Sequence, residues 1–350
     1  MEEYYRRFPA LRGNETVTWC FDEIQVVPGW ERFVRRVLDS ENVEVFISGS
    51  SAALLSREIA TAMRGRAWEV VVHPFSFEEY LRHQGAAVPE RADFLPAAER
   101  SALERAFLDY LTTGGFPEVQ KLSTADRHLL LHDYVDVAML RDVVERYSVT
   151  NVAGLRWLVR QLLGNAASLF SVEKFYSSLK SQGFSISKDT VHNLLDHLED
   201  CFLVRTVWME SGSERQRMVN PRKAYPVDTG LIAVFDRTGR TNVGHALETA
   251  VLIELERRRM AITYIRTPRG HEVDFLARSP NGEVHLIQVC ADAVDADVLE
   301  REVRAITDAG ERYPNASKHL LTLTRDAHPA TVPAGMSAQT AYEWMLTPTD

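Results

Sequence analysis

Thr18-Trp19-Cys20-Phe21-Asp22-Glu23 is the stretch on which the reading of this chain turns. The run from Val17 to Asp22 has the pattern of a buried strand, and it ends on two adjacent carboxylates. Working outward, Trp30–Leu38 has helical spacing, Val43–Ser48 is strand-like, Ala52–Met63 is helical and Trp68–His73 is strand-like again. Strands separated by helices predict a parallel sheet of the α/β kind. From about Phe77 to Asn165 the pattern is helical, broken by a loop at Gly114-Gly115-Phe116-Pro117. Ser171–Trp208 reads as a pair of short amphipathic helices and a strand, and Ser211–Arg222 as a polar stretch. The remainder predicts a helix over Gly244–Arg259, strands at Ile262–Arg266, Glu272–Arg278 and Glu283–Cys290, a helix at Asp297–Ala309 and a strand at His319–Thr324.

A length of 350 residues is more than one core usually organises, so two or three domains are expected. With 45% hydrophobic and 25% charged residues the composition excludes global disorder. A net charge of -9 gives no overall attraction to nucleic acid or to anionic membranes, so any DNA contact needs a local basic patch. Met1–Gly13 has no apolar core of the signal-peptide type, and no run is long enough to span a bilayer. Cys20, Cys201 and Cys290 form no CxxC pair and sit among apolar residues, which predicts buried free thiols and a cytoplasmic protein.

An aspartate and a glutamate at a strand end have a definite use in ATP hydrolysis. The aspartate holds a hydrated magnesium ion, and the glutamate orients or deprotonates the attacking water. Asp22 and Glu23 fit those roles, and Ser48 or Ser50 at the end of the next strand fits a sensor of the γ-phosphate. Arg66 would supply positive charge to a phosphate. The plainer alternative is a solvated loop start, since so short a motif recurs by chance.

Further blocks join this pair in a fixed order: Phe21-Asp22-Glu23-Ile24-Gln25 with Pro28-Gly29-Trp30-Glu31, then Ser48-Gly49-Ser50-Ser51 with Gly65-Arg66. Pro74-Phe75-Ser76-Phe77-Glu78-Glu79-Tyr80 and Gly114-Gly115-Phe116-Pro117-Glu118 complete the set. Together they resemble the prokaryotic AAA-type ATP-binding proteins whose C-terminal half is a domain of unknown function. The resemblance implies ATP and Mg2+ as ligands, Asp22 as the magnesium aspartate, Glu23 as the catalytic glutamate, Ser48 or Ser50 as sensor and Arg66 as an arginine finger.

Members of that family open with a strand, a GxxxxGK[ST] phosphate-binding loop (Walker A) and a helix, and no such loop occurs in these 350 residues. The expectation is that the chain as written does not hydrolyse ATP at an ordinary rate. The missing central strand predicts unpaired edges beside Val43–Ser48 and Trp68–His73. It also leads us to expect a misplaced start at Met1, a truncated gene or a decaying copy rather than a purposeful loop-less variant.

In the middle, Ser171 and Ser187 read as N-caps, and Val191, Leu194, Leu195 and Leu198 line one face of the second helix. With the strand at Phe202–Trp208 the arrangement looks like a winged helix. Asp189, Asp196, Glu199 and Asp200 would repel phosphates, so Arg215, Arg217, Arg222 and Lys223 are the better candidates for DNA contact. Packing or protein contact is the alternative role, and His192 and His197 read as surface residues.

From Gly244 to Thr324 the element order looks like the PD-(D/E)xK nuclease fold. In that fold acids on the first helix and the second strand, with an acid-x-lysine on the third strand, bind magnesium. Glu248 and Asp274 match the acids, whereas Gln288 stands for the third acid and Cys290 for the lysine. Glutamine offers a neutral carbonyl but no charge, so this site reads as degenerate, with Glu248 and Asp274 hydrogen-bonded or paired with Arg266 or Arg278 instead. The expected architecture is therefore α/β: a partial P-loop, AAA-type sheet (1–122), a helical and winged-helix middle (123–220) and a nuclease-like α/β C-terminal domain (221–350). The expected function is AAA-type ATP binding without ordinary hydrolysis, the alternative being a non-catalytic DNA- or protein-binding module. A nucleic-acid or protein partner fits either reading, and no membrane is implied.

Overall fold

A computed structural model describes residues 1–13, 15–50, 67–236, 242–291, 296–329 and 331–348. The protein is mixed α/β. Strands β1 (Val17–Asp22) and β2 (Val43–Ser48) pair in parallel, register Val17↔Val43 through Asp22↔Ser48. The crossover helix Trp30–Ser40 buries Trp30, Val34 and Val37, a spacing that places them on one helix face. Trp30 and Val34 pack with Phe21, Val45 and Ile47, while Tyr4 and Tyr5 of the first helix pack on Trp19. The opposite face, with Cys20, Asp22, Phe46 and Ser48, is exposed.

The strand expected at Trp68–His73 does not form. Among the described residues β1 and β2 pair only with each other, so these residues have no ladder to join, and Trp68, Val70 and Val72 are exposed. The helix expected at Ala52–Met63, with Arg66, lies outside the described residues.

Beyond this layer, Ser76 and Glu79 form a capping box that starts the helix Phe77–His83, which accounts for one sequence block in structural terms. Helix Ala97–Thr113 ends at Gly114, whose φ of +82° a glycine adopts without strain. Helix Thr124–Val137 runs on into a π-helical segment, Ala138–Glu145, and helix Val152–Leu163 follows.

A three-stranded antiparallel sheet then forms in the order β3 (Ser168–Phe170), β5 (Arg222–Pro226), β4 (Val204–Val207). Between β3 and β4 lie helices Val172–Ser181 and Lys188–Asp200, capped as expected by Ser171 and Ser187. Val191, Leu194, Leu195 and Leu198 are buried. His197 is only half-exposed, because it stacks on Tyr147 at 3.7 Å. The polar stretch contains a helix, Glu214–Val219, that its composition did not announce.

Helix Val243–Arg257 leads into a five-stranded sheet with order β10 (Met336–Thr340), β9 (Ser317–Thr322), β8 (Val284–Cys290), β7 (Glu272–Arg278), β6 (Ala261–Arg266). β6, β7 and β8 are antiparallel, and β8, β9 and β10 parallel, with helix Ala296–Arg312 crossing between β8 and β9. Past β4 the chain bridges to β6, where Tyr264 N donates to Trp208 O (3.0 Å) and Glu210 N to Tyr264 O (2.7 Å). One core joins Phe77, Phe107 and Tyr110 to Leu247, Phe275 and Tyr342, so the helices after the first layer pack on the C-terminal sheet. Burying each such side chain stabilises by about 1.5–3 kcal/mol. Of the cysteines Cys290 is buried and Cys201 half-buried. Cys20 is exposed, against expectation, because it lies on the open face of β1. No described helix is long and apolar enough to cross a membrane.

Candidate functional sites

The parallel register sets Asp22 beside Ser48 at the carboxyl ends of β1 and β2, where open α/β sheets gather ligands. Ser48 Oγ donates to Asp22 Oδ1 at 2.7 Å, which leaves the exposed carboxylate oriented but accessible. Glu23 follows with φ +51°, a left-handed conformation uncommon for a residue with a side chain, and its N–H donates to Ser48 O (3.0 Å). Its carboxylate faces the Arg141 guanidinium of the π-helical segment at 3.9 Å.

Ser50 goes elsewhere. Its hydroxyl donates to Asp142 Oδ1 and accepts from Arg146 Nη2, both at 3.0 Å, and Arg146 closes the triangle on Asp142 at 3.0 Å. The structure therefore brings Asp22, Glu23 and Ser48 together and gives Ser50 to Asp142 and Arg146. Arg66 lies outside the described residues. Arg141, Asp142 and Arg146 were missed in the sequence, where they are charged positions in a helical run.

The residues fit part of a magnesium-nucleotide site. Asp22 is an accessible hard oxygen donor for a hydrated cation, but the phosphates have no GxxxxGK[ST] loop in this sequence.

A second cluster forms between the two other sheets. Glu248 on helix Val243–Arg257, Asp274 on β7 and Gln288 on β8 do meet, but Lys223 of β5 stands among them. Lys223 Nζ lies 2.8 Å from Asp274 Oδ1, 2.8 Å from Glu272 Oε1 and 3.0 Å from Glu248 Oε1. Tyr225 donates to Glu248 Oε1 (2.7 Å), and Val289 N to Asp274 Oδ2 (3.0 Å). The Gln288 amide accepts from Asp274 N (3.2 Å) and donates to Glu302 Oε2 (2.6 Å).

Burial works against the Lys223 charge, but Asp274 and Glu248 outweigh it and hold the ammonium well above the ordinary lysine value. Burial, and then Asp274, push Glu248 upward. A cleft of about 380 Å³ lined by His271, Asp274, Gln288, Arg301 and Glu302 opens beside the cluster.

This corrects the expected pairing: the partner of Glu248 and Asp274 is Lys223, and Arg278 is turned to Glu210 at 2.7 Å. It also removes Lys223, 3% exposed, from the residues available to a phosphate backbone. Arg222 lies 3.5 Å over the Trp208 ring with Glu199 at 3.7 Å, and Arg217 lies 5.4 Å from the centre of the same ring. A magnesium ion does not fit here while Lys223 Nζ holds the place among the acids. Among the described residues no group of three or more His, Cys, Asp or Glu is arranged to hold a metal.

A third feature explains the Gly114-Gly115 block. Buried Asp228 accepts from Gly115 N (2.6 Å) and Gly230 N (2.9 Å).

Comparison with known proteins divides the chain. Residues 1–81 match the family model of an AAA domain, and residues 104–241 that of a domain of unknown function, DUF8612. An AAA-like segment is followed by a domain of unknown function. The uncharacterized protein MJ1544 of Methanocaldococcus jannaschii is 33% identical over 305 residues, 86% of this chain and 66% of that protein. An uncharacterized protein of Haemophilus influenzae is 29% identical over 276 residues, 79% of this chain and 66% of its own. The chain thus spans 66% of the length of each of these relatives. Among solved structures, the Walker-type ATPase PABY2304 of Pyrococcus abyssi is similar with a TM-score of 0.37 and 16% identity, over 63% of each chain. The Aeropyrum pernix ORC1 protein in complex with DNA gives 0.27 and 17%, over 67% of this chain and 66% of that one.

Proposed function

We propose that this chain is the acid-bearing part of an AAA-type ATP-binding protein and that, as these 350 residues, it does not turn over ATP at an ordinary rate. The observation that carries the reading is the cluster at the end of β1 and β2, with Ser48 holding Asp22 at 2.7 Å and Glu23 beside it. Asp22 would hold Mg2+, which when bound neutralises phosphate charge, and Glu23 would orient water. Ser50, Arg141, Asp142 and Arg146 would carry the state of that strand end to the helices that follow. The missing phosphate-binding loop supports the second half of the proposal, because these 350 residues contain neither its nest of N–H groups nor its lysine. The test is magnesium-dependent ATP turnover by the Met1–Asp350 protein beside its Glu23→Gln variant. A rate in the ordinary enzymatic range that vanishes in the variant would overturn the proposal. Calorimetric titration with Mg-ATP separately measures binding, and heat that disappears in Asp22→Ala supports the role of Asp22.

A second reading, a non-catalytic DNA- or protein-binding module, draws on the C-terminal cluster. The order helix, short strand, two helices, strand, short helix, strand from Val152 to Pro226, with the last two strands paired antiparallel, supports a winged helix, and the strands beyond support a nuclease-like framework. With Lys223 in its acidic cluster that framework reads as non-catalytic. DNA retention that weakens steeply with salt and is lost on Arg215→Ala with Arg217→Ala would favour this reading.

A further inference from the structure

The magnesium ion that the nuclease-like reading implies and the residues present disagree, and the disagreement has a specific form. We infer that Lys223 is the resident cation of the C-terminal acidic cluster: its ammonium stands where a divalent ion would stand, and such an ion binds only when Lys223 is removed.

The donor count comes first. An ammonium has three protons, and Lys223 Nζ has three carboxylate partners, Asp274, Glu272 and Glu248, at 2.8, 2.8 and 3.0 Å. These are hydrogen-bond lengths, so the cage is sized for N–H···O contacts. Magnesium and calcium would need oxygens drawn in to about 2.0–2.1 Å or 2.3–2.6 Å. Tyr225 on Glu248, and Val289 N on the second oxygen of Asp274, orient the acids toward the ammonium, and with Lys223 in place they cannot draw in further. Gln288, the remaining neutral donor, is engaged at both ends by Asp274 N and Glu302. A dication beside Lys223 would meet an ammonium in a buried, weakly screened setting.

The ammonium and its partners come from different layers. Lys223 and Tyr225 sit on β5 of the three-stranded sheet, while Glu248, Glu272 and Asp274 belong to the five-stranded sheet and its helix. Lys223 thus performs the structural task of a bridging metal ion, tying one sheet to the other, without depending on metal supply. The placement also explains how a third strand reading Gln288 and Cys290 is tolerated. The positive charge that this strand lacks arrives from β5.

The experiment uses Mn2+ as the probe, followed by calorimetry and by thermal unfolding, on the full chain, on Lys223→Ala and on Lys223→Ala with Asp274→Asn. In the full chain Mn2+ should give no saturable heat and no shift in Tm. Lys223→Ala should unfold at lower temperature in EDTA, bind one Mn2+ with a saturable heat that the full chain lacks, and regain Tm in its presence. The double variant should lose that binding. Saturable Mn2+ binding to the full chain that disappears on Asp274→Asn would overturn the inference, since metal would then share the site with Lys223. A folded Lys223→Ala that binds no Mn2+ would also overturn it, as would an unfolded one that Mn2+ does not rescue.

Discussion

Asp228 accepts the backbone N–H of Gly115 at 2.6 Å across 113 residues of sequence, inside the core. The other carboxylate oxygen takes Gly230 N at 2.9 Å, and Phe75 N donates to Gly115 O at 2.7 Å. The Gly-Gly-Phe-Pro block, a loop in the sequence, is therefore the point where the segment after the AAA-like layer is fastened to the chain leading into the C-terminal half.

Neither glycine has room for a side chain. A Cβ on Gly115 would stand 2.5 Å from Phe75 O, and one on Gly114 only 1.9 Å from Asp228 Oδ1 at a φ of +82°. Gly115→Ala meets fixed backbone, so it should destabilise by about 2–4 kcal/mol. Gly114→Ala should lose a similar amount, and with it the Asp228 contact. Urea unfolding followed by circular dichroism measures both, and a midpoint unchanged in either variant would mean the fastening is dispensable.

The same carboxylate sets a pH dependence. Burial pushes Asp228 from its ordinary 3.8 up to about 6, against the bonds from Gly115 and Gly230. A carboxyl raised in the folded state binds its proton more tightly there than in the unfolded chain. Its stabilising contribution is full below about pH 4 and is lost as pH rises through about 6. The stability of the protein minus that of Asp228→Asn should therefore fall between pH 4 and pH 7. A difference that stays flat, or rises with pH, would show that the N–H bonds outweigh burial.

How much of this was legible follows from where the signals lie. β1 and β2 announce themselves through alternation, and Trp30, Val34 and Val37 through helical spacing, so the acidic strand end could be placed from sequence. Trp68–His73 has the same local pattern but no partner among the described residues, and a strand is a pairing as much as a propensity. β5 is the reverse case. Arg-Lys-Ala-Tyr-Pro carries charges and a proline where a strand signal would be sought, yet it is central in its sheet, and it brings Lys223 to acids 25 and 51 residues away. Nothing local in the sequence says which lysine a buried carboxylate will find.

Tyr225 offers a narrower test of that cluster. Its hydroxyl is buried and donates to Glu248 at 2.7 Å. Removing only that hydroxyl in Tyr225→Phe leaves Glu248 with Lys223 alone and should destabilise by about 1–2 kcal/mol. The Tyr225→Phe change should have little further effect once Glu248→Gln is in place, because the acceptor's charge is then gone. Additive losses in the double variant would mean the two groups act independently.

The triangle of Ser50, Asp142 and Arg146 separates a structural serine from a phosphate sensor. Arg146 and Asp142 side chains are only 17% and 12% exposed, and they hold each other at 3.0 Å. Asp142→Ala leaves a largely buried guanidinium without its carboxylate and should destabilise by about 3–5 kcal/mol. Ser50→Ala removes a neutral link and should lose about 1 kcal/mol. If Ser50 serves the helices, its loss lowers the unfolding midpoint and leaves any Mg-ATP heat unchanged, whereas Ser48→Ala, which frees Asp22, alters that heat. Loss of the Mg-ATP heat in Ser50→Ala, with the unfolding midpoint intact, would return Ser50 to the nucleotide and leave Asp142 and Arg146 as its scaffold.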